Sequence, residues 1–165
     1  MLNLHFLGTC SGTEPIPEIH HSSFILEIDG VNYWFEAGEN CAHQAVSMGI
    51  NTMNTACLFV SHPHVDHIGG MANLLACLKK LSVRYELPLI CNNTLQIFFP
   101  DLQLLPAIKS IACGGKSVKF PFQIEENPTH DGLLYEDERI RVSALHNRHM
   151  KEDGSNGWHA FSFLI

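Results

Sequence analysis

"SHPHVDHIGG", Ser61 to Gly70, places three histidines and one aspartate within six positions. Imidazole is the commonest protein ligand for transition metals. Pro63 biases His62 toward extended backbone, and in an extended segment residues i and i+2 point to the same side. His62 and His64 can therefore reach one ion together. Asp66 and His67 follow at a turn into a helix and suit a second ion nearby. Gly69 and Gly70 leave unencumbered backbone at the helix start, where a substrate anion is expected to come close. The competing reading, a set of solvated loop histidines, is disfavoured by so dense a spacing.

The flanking sequence places this stretch in a fold. Before it, "ACLFVS" (Ala56–Ser61) is short, apolar and β-prone, as expected of a strand buried on both faces. After it, "MANLLACLKKL" (Met71–Leu81) sets Met71, Leu74, Leu75 and Leu78 at i, i+3, i+4 and i+7, one face of an amphipathic helix. Lys79 and Lys80 sit near its C-terminal end, where the helix dipole favours cations. Upstream, "LNLHFLG" (Leu2–Gly8) reads as a strand. "SFILEIDG" and "VNYWFEAG" form a hairpin turning at Asp29-Gly30. "CAHQAVSMGI" (Cys41–Ile50) predicts a helix ending near Gly49. Downstream, "LPLICN" (Leu87–Asn92) reads as a strand, and "NTLQIFF" (Asn93–Phe99) as a short helix stopped by Pro100. "VKFPFQIEE" (Val118–Glu126) is strand-like, with Pro121 pointing to an edge or bulge. "GLLYEDERIRVSALHN" (Gly132–Asn147) reads as two strands around an acidic turn. "WHAFSFLI" (Trp158–Ile165) closes the chain as a strand. Strands interleaved with helices indicate an α/β, layered (α+β) architecture.

Composition bounds the function. The 165 residues suffice for one domain with a core, and a net charge of −7 disfavours a general nucleic-acid-binding surface. The six cysteines (10, 41, 57, 77, 91 and 113) are widely and irregularly spaced, without a C-x-x-C, and several lie in apolar runs. They read as reduced thiols acting as small hydrophobes. No secretory signal pattern and no apolar run long enough for a membrane span is seen. A cytoplasmic location without a membrane partner is expected.

Placed after its apolar strand, "SHPHVDHIGG" resembles the H-x-H-x-D-H signature of the metallo-β-lactamase superfamily. The stretch "LHFLGTCSGTEPIPEIHHSSFILEIDGVNYWFEAGEN" (Leu4–Asn40) is similar to the opening of its ribonuclease Z-like branch. It has a glycine-rich loop from Leu7 to Gly12, serines at Ser22 and Ser23, and an acidic turn from Glu36 to Glu39. The resemblance implies an αββα sandwich, with residues 1–165 a single domain lacking much of the second half. It implies a metal-dependent hydrolase, a phosphodiesterase of ribonuclease Z type using a metal-activated water. The cofactor would be two divalent ions, zinc foremost, with Mn or Fe as alternatives. His62 and His64 would hold one ion, Asp66 and His67 the other, and Asp66 would also be the catalytic base. The first ion's third ligand comes from "RVSALHNRHM". The family pattern falls on His149, while His146 stands where relatives often carry proline. "GWHAFSFLI" would be the following strand, after an insertion at "KEDGSN" (Lys151–Asn156).

The resemblance also defines an alternative. The superfamily's second half supplies a bridging aspartate and a final histidine, and no residue after His149 is suited to those parts. A catalytically incomplete metal-binding or interaction half-domain, needing a second chain or a further C-terminal segment, is the other reading. An open sheet edge makes a homo-oligomer the expected state. The substrate would be a small phosphodiester or RNA. Of the remaining histidines, His20 and His21 lie in a loop that lines the site in relatives, either touching substrate or simply at the surface. His130 reads as a turn residue, and His5, His43 and His159 as structural. Glu36 and Glu39 either shape a turn or orient a metal ligand.

Overall fold

The computed structural model describes residues 1–12, 14, 16–115, 117–150 and 159–165. Six strands form the first sheet in the order of the chain: β1 (Leu2–Gly8), β2 (Ser23–Ile28), β3 (Val31–Phe35), β4 (Thr55–Phe59), β5 (Thr94–Phe99) and β6 (Gln123–Pro128). The first two pairs are antiparallel and the last three parallel. The β2–β3 turn uses Asp29 and Gly30, both at positive φ (49° and 79°), as a two-residue hairpin demands. Each parallel pair requires a crossover. These carry α1 (Cys41–Ser47), the short α2 (Val65–Ile68) with α3 (Met71–Tyr85), and α4 (Leu105–Ala112). A second, antiparallel sheet holds β7 (Gly132–Glu136), β8 (Arg141–His146) and β9 (Phe161–Leu164).

Strand alternation sends side chains to two cores. On one face Trp34, Leu58, Leu95, Ile97 and Phe99 pack against Met71, Leu74, Leu75, Leu78 and Leu105 of the helices. The helical residues are those the i, i+3, i+4, i+7 pattern marks. On the other face Phe24, Phe35, Phe59 and Phe98 stack ring on ring across β2 to β5, with centroids 4.8, 5.0 and 4.9 Å apart. Phe163 and Tyr135 of the second sheet meet this ladder edge-on at 5.8–6.1 Å, the geometry ring quadrupoles favour. The described residues thus form helix, sheet and sheet layers of the expected α/β sandwich. The expected insertion at Lys151–Asn156 lies outside the described residues.

Two local expectations are corrected. Leu87–Asn92 is not a strand: Asn92 and Asn93 adopt left-handed φ (50° and 57°) and make a turn anchored by buried Leu89. The segment Asn93–Phe99 holds β5 rather than a helix. Leu95, Ile97 and Phe99 alternate into the helical core, and the parallel pairing with β4 and β6 outweighs the ambiguous periodicity. The strand expected from Val118 begins only at Gln123, beyond Pro121, and is the sheet's edge. All six cysteines are free; burial pushes the Cys41 thiol up to about 12. No helix among the described residues is long and apolar enough to cross a membrane.

At the pole where β3 and β4 begin, Asp137 ties the sheets together. Its Oδ2 accepts from Tyr33 Oη (2.5 Å) and Tyr135 Oη (2.9 Å), and its Oδ1 from the backbone N–H groups of Arg139 and Ile140 (2.8 and 2.9 Å). Burial opposes ionisation, yet these four donors hold the carboxyl below its ordinary value. A depressed folded pKa adds stability above the unfolded pKa, and this is lost as pH falls through the folded one. Asp137→Asn is therefore expected to cost about 1–3 kcal/mol at pH 7. The gap to wild type in urea midpoint should narrow once pH drops below about 3.9.

Candidate metal centre

The histidines emerge at the opposite pole, where the parallel strands end, the usual place for a ligand crevice in such sheets. β4 is buried throughout and delivers Val60, Ser61 and His62 in sequence. Ser61 is held twice. Its N–H donates to the Glu36 carboxylate (3.2 Å to each oxygen), and its carbonyl accepts from Phe161 N–H at the start of β9 (3.0 Å). The His62 ring is buried, with Nδ1 2.8 Å from Ser61 Oγ and Nε2 3.1 Å from Nδ1 of His64. His64 is extended (φ −65°, ψ 147°) and precedes α2, so both rings face one point. His149 comes from the loop after β8, its backbone N–H held by the Asn147 side chain (2.9 Å). One ring nitrogen from each of His62, His64 and His149 lies within 4.8 Å of the other two, the one such group among the described residues.

The donor chemistry suits a cation. Burial, then the neighbouring imidazoles of His67, His149 and His64, depress the His62 pKa to about 3, so its lone pair is free at neutral pH. Two ring nitrogens 3.1 Å apart, converging with a third, form the N-donor set preferred by zinc-type ions.

Asp66 and His67 sit beside this triad. α2 is a single turn that buries Asp66, whose Oδ2 accepts from the Gly12 N–H (2.7 Å). Burial works against the charge, but that bond, the backbone and the histidines keep the carboxyl below its ordinary value. The His67 ring lies 4.0 Å from that of His62, centroid to centroid, with Nε2 3.4 Å from Asp66 Oδ2. His67 Nδ1 is 3.2 Å from Glu36 Oε2, within ion-pair reach but off hydrogen-bond alignment. Burial lowers the His67 pKa, and Glu36 more than reverses this. His146 is not part of the triad; its Nδ1 pairs with Asp131 (2.6 Å).

Several positioning groups lie outside the H-x-H-x-D-H stretch. Glu36 orients Ser61 and His67, the second of its two expected roles, and Gly12 contributes only a backbone N–H. That donor carries no side-chain signal beyond the glycine-rich loop in which it lies. Gly70 does not present backbone to an anion as expected. It is buried, and a Cβ there would collide with the Gly38 carbonyl. His20 pairs with Glu39 (3.1 Å), and His21 packs its Cβ against Gly38. His5 pairs with Glu27 (2.8 Å), and His130 bonds to the Asp131 carbonyl (2.9 Å). A cavity of 580 Å³ near Asp29, Gln96, Glu125 and Arg139 lies at the far pole and contributes nothing to the histidine cluster.

This architecture defines a protein of the metallo-β-lactamase fold. Human tRNase Z, short form, is similar over 86% of this chain and 57% of its own, with a TM-score of 0.64 at 22% identity. The metallo-β-lactamase fold protein YhfI from Bacillus subtilis is similar over 97% and 56%, with a TM-score of 0.66 at 14% identity. By sequence, ribonuclease Z of Crocosphaera subtropica is 32% identical over 86% of this chain and 43% of its own length. That of Prochlorococcus marinus is 28% identical over 90% and 46%. The chain thus spans under half the length of these curated relatives. Residues 2–165 match the anti-Pycsar protein Apyc1 family, and the chain belongs to it.

The close approach at Gly70 is testable. Its N–H donates to the Ala37 carbonyl (2.8 Å), and Ala37 N–H donates to the His67 carbonyl (2.7 Å), so the pair clamps the Asp66–His67 turn onto the end of β3. Gly70→Ala is expected to cost about 1–3 kcal/mol by overpacking. An unchanged urea midpoint would show that the clamp is looser than this.

Proposed function

We propose that this chain carries the metal-binding portion of a phosphodiesterase acting on a cyclic nucleotide. The convergence of His62, His64 and His149 carries the reading. Membership in a family described as anti-Pycsar suggests the cyclic nucleotide, and relatives named ribonuclease Z suggest a phosphodiester bond. His62, His64 and His149 hold one divalent ion. Asp66 and His67 face a second, and Glu36 keeps the His67 ring turned so that Nε2 points toward Asp66. Zinc is the ion that three imidazoles favour, with Mn and Fe as alternatives. Bound there, the ions supply Lewis-acid polarisation of the phosphoryl oxygens and acidify water. Asp66, kept ionised by the Gly12 N–H, accepts the proton of the attacking water.

Two observations favour a second reading, a site completed by another segment or chain. Among the described residues, no third ligand atom groups with Asp66 and His67. In addition, Leu2, Leu4 and Phe6 of β1 remain 65, 51 and 59% exposed beside Leu26 and Phe24. Burial of that strip favours self-association. A monodisperse monomer in light scattering would remove this support.

Metal analysis separates the readings. Two equivalents of zinc per chain support a near-complete site, and one supports the incomplete one. His64→Ala and His149→Ala are each expected to weaken zinc binding more than about 100-fold, the upper end for loss of a mere outer partner. His146→Ala should leave zinc content unchanged. With metal, the chain should open a cyclic nucleoside monophosphate to the linear monophosphate, and Asp66→Asn should slow this about 100-fold or more. Cleavage of RNA without turnover of the cyclic nucleotide would overturn the substrate assignment.

A further inference from the structure

His146 is left unused by the metal triad, yet it is built into the rim of the same site. Along β8, Val142 and Ala144 face the buried inter-sheet core, so alternation puts His146 on that inner face. Its cross-strand partner is Phe161, whose N–H bonds to the carbonyl of Ser61, the residue before His62 (3.0 Å). Three residues beyond His146 the chain supplies His149 to the triad. His146 therefore stands where the gap between the sheets opens at the histidine pole. Its imidazole is about half exposed.

The ring is also held in one orientation. Asp131 grips His146 twice, taking the backbone N–H on Oδ1 and ring Nδ1 on Oδ2, both at 2.6 Å. A carboxylate can only accept, so Nδ1 carries the proton in that contact. Nε2 has no partner among the described residues. The pair fixes the ring, and as an imidazolium the ring donates from both nitrogens, Nδ1 to Asp131 and Nε2 to an anion.

We propose that His146, positioned by Asp131, is a substrate-contacting residue that donates from Nε2 to a phosphoryl oxygen of the nucleotide bound beside the metal triad. The identity of the ligand rests on the phosphodiesterase reading; the orientation of the ring does not. Asp131 is a positioning residue that acts through the ring. Such a pair offers a charge-assisted bond to phosphate.

The test is calorimetric titration of adenosine 5′-monophosphate, of the expected product class, into the zinc-treated wild-type chain, His146→Gln and Asp131→Asn, with metal content measured on each sample. The expected result is about tenfold weaker binding in both variants at unchanged metal content, as for loss of one hydrogen bond to a charged group. The double variant should be no weaker than His146→Gln alone. In the wild type, the His146 ring resonances should move on nucleotide addition, and Asp131→Asn should alter the ring's Nδ1 proton signal without nucleotide. Equal affinity of wild type and His146→Gln overturns the proposal. So does absence of binding in the wild type, or a loss of affinity accompanied by loss of metal, which would mark His146 as a support for His149. A wild-type chain that takes up no metal but still binds the nucleotide through His146 overturns the functional reading and leaves this inference standing.

Discussion

One buried carboxylate, that of Glu36, holds the histidine pole together. It lies just past β3 at a left-handed φ of 64°, a conformation that costs a non-glycine residue free energy and persists only when its surroundings enforce it. They do so from both sides. Glu36 N–H donates to the Phe59 carbonyl (2.8 Å), and its own carbonyl accepts from Ser23 Oγ (3.1 Å). The side chain then turns inward, accepting from Ser61 N–H and facing the His67 ring. A residue that shapes a turn thus also sets the direction of two others. Truncating its side chain would leave the Ser61 N–H without its acceptor and the His67 ring without the carboxylate it faces.

That carboxylate works because the strands beneath it are immovable. The phenyl ladder of Phe24, Phe35, Phe59 and Phe98 runs across four strands just below the site. Phe35 and Phe59 are the final residues of β3 and β4, immediately before the functional loops. Close-packed interiors do not deform continuously, so the loop roots hold a fixed spacing. Phe163 packs on the same two rings from the second sheet, which sets the height of β9 and, through Phe161 N–H, the position of Ser61. The long path from His67 to His149 is bridged in space by one hydrogen bond and one aromatic cluster.

How much of this was legible from sequence follows from range. The hairpin at Asp29-Gly30, the strand before the histidines and the helix after them are specified by local pattern, and they form as expected. So does the convergence of His62 and His64, because it needs only extended backbone over three residues. His149 is separable from His146 only through resemblance, since nothing local tells which of two histidines three apart joins His62 and His64. Asn93–Phe99 is ambiguous in sequence because a short apolar run has no decisive period, and the parallel neighbours that make it a strand lie far away in the chain. The role of Gly70 is hidden for a related reason. Its lack of a side chain serves contact with Gly38, thirty-two residues earlier, and no local signal separates that use from anion binding.

The two poles differ in what the fold has left unsatisfied. At the far pole Asp137 has four donors aligned on two oxygens, a network complete without any ligand. At the histidine pole, His62, His64 and His149 turn ring nitrogens on one another, and His67 Nδ1 is buried without an aligned partner. Buried polar groups without partners cost free energy, and at this pole His67 Nδ1 carries that cost. A cation binding only the folded arrangement satisfies those nitrogens together and stabilises the fold by mass action. Burial has already removed the competing proton from His62, so at neutral pH an ion meets a free lone pair there. The burial that disfavours a charge on His62 is thus also what prepares its ring to bind a cation.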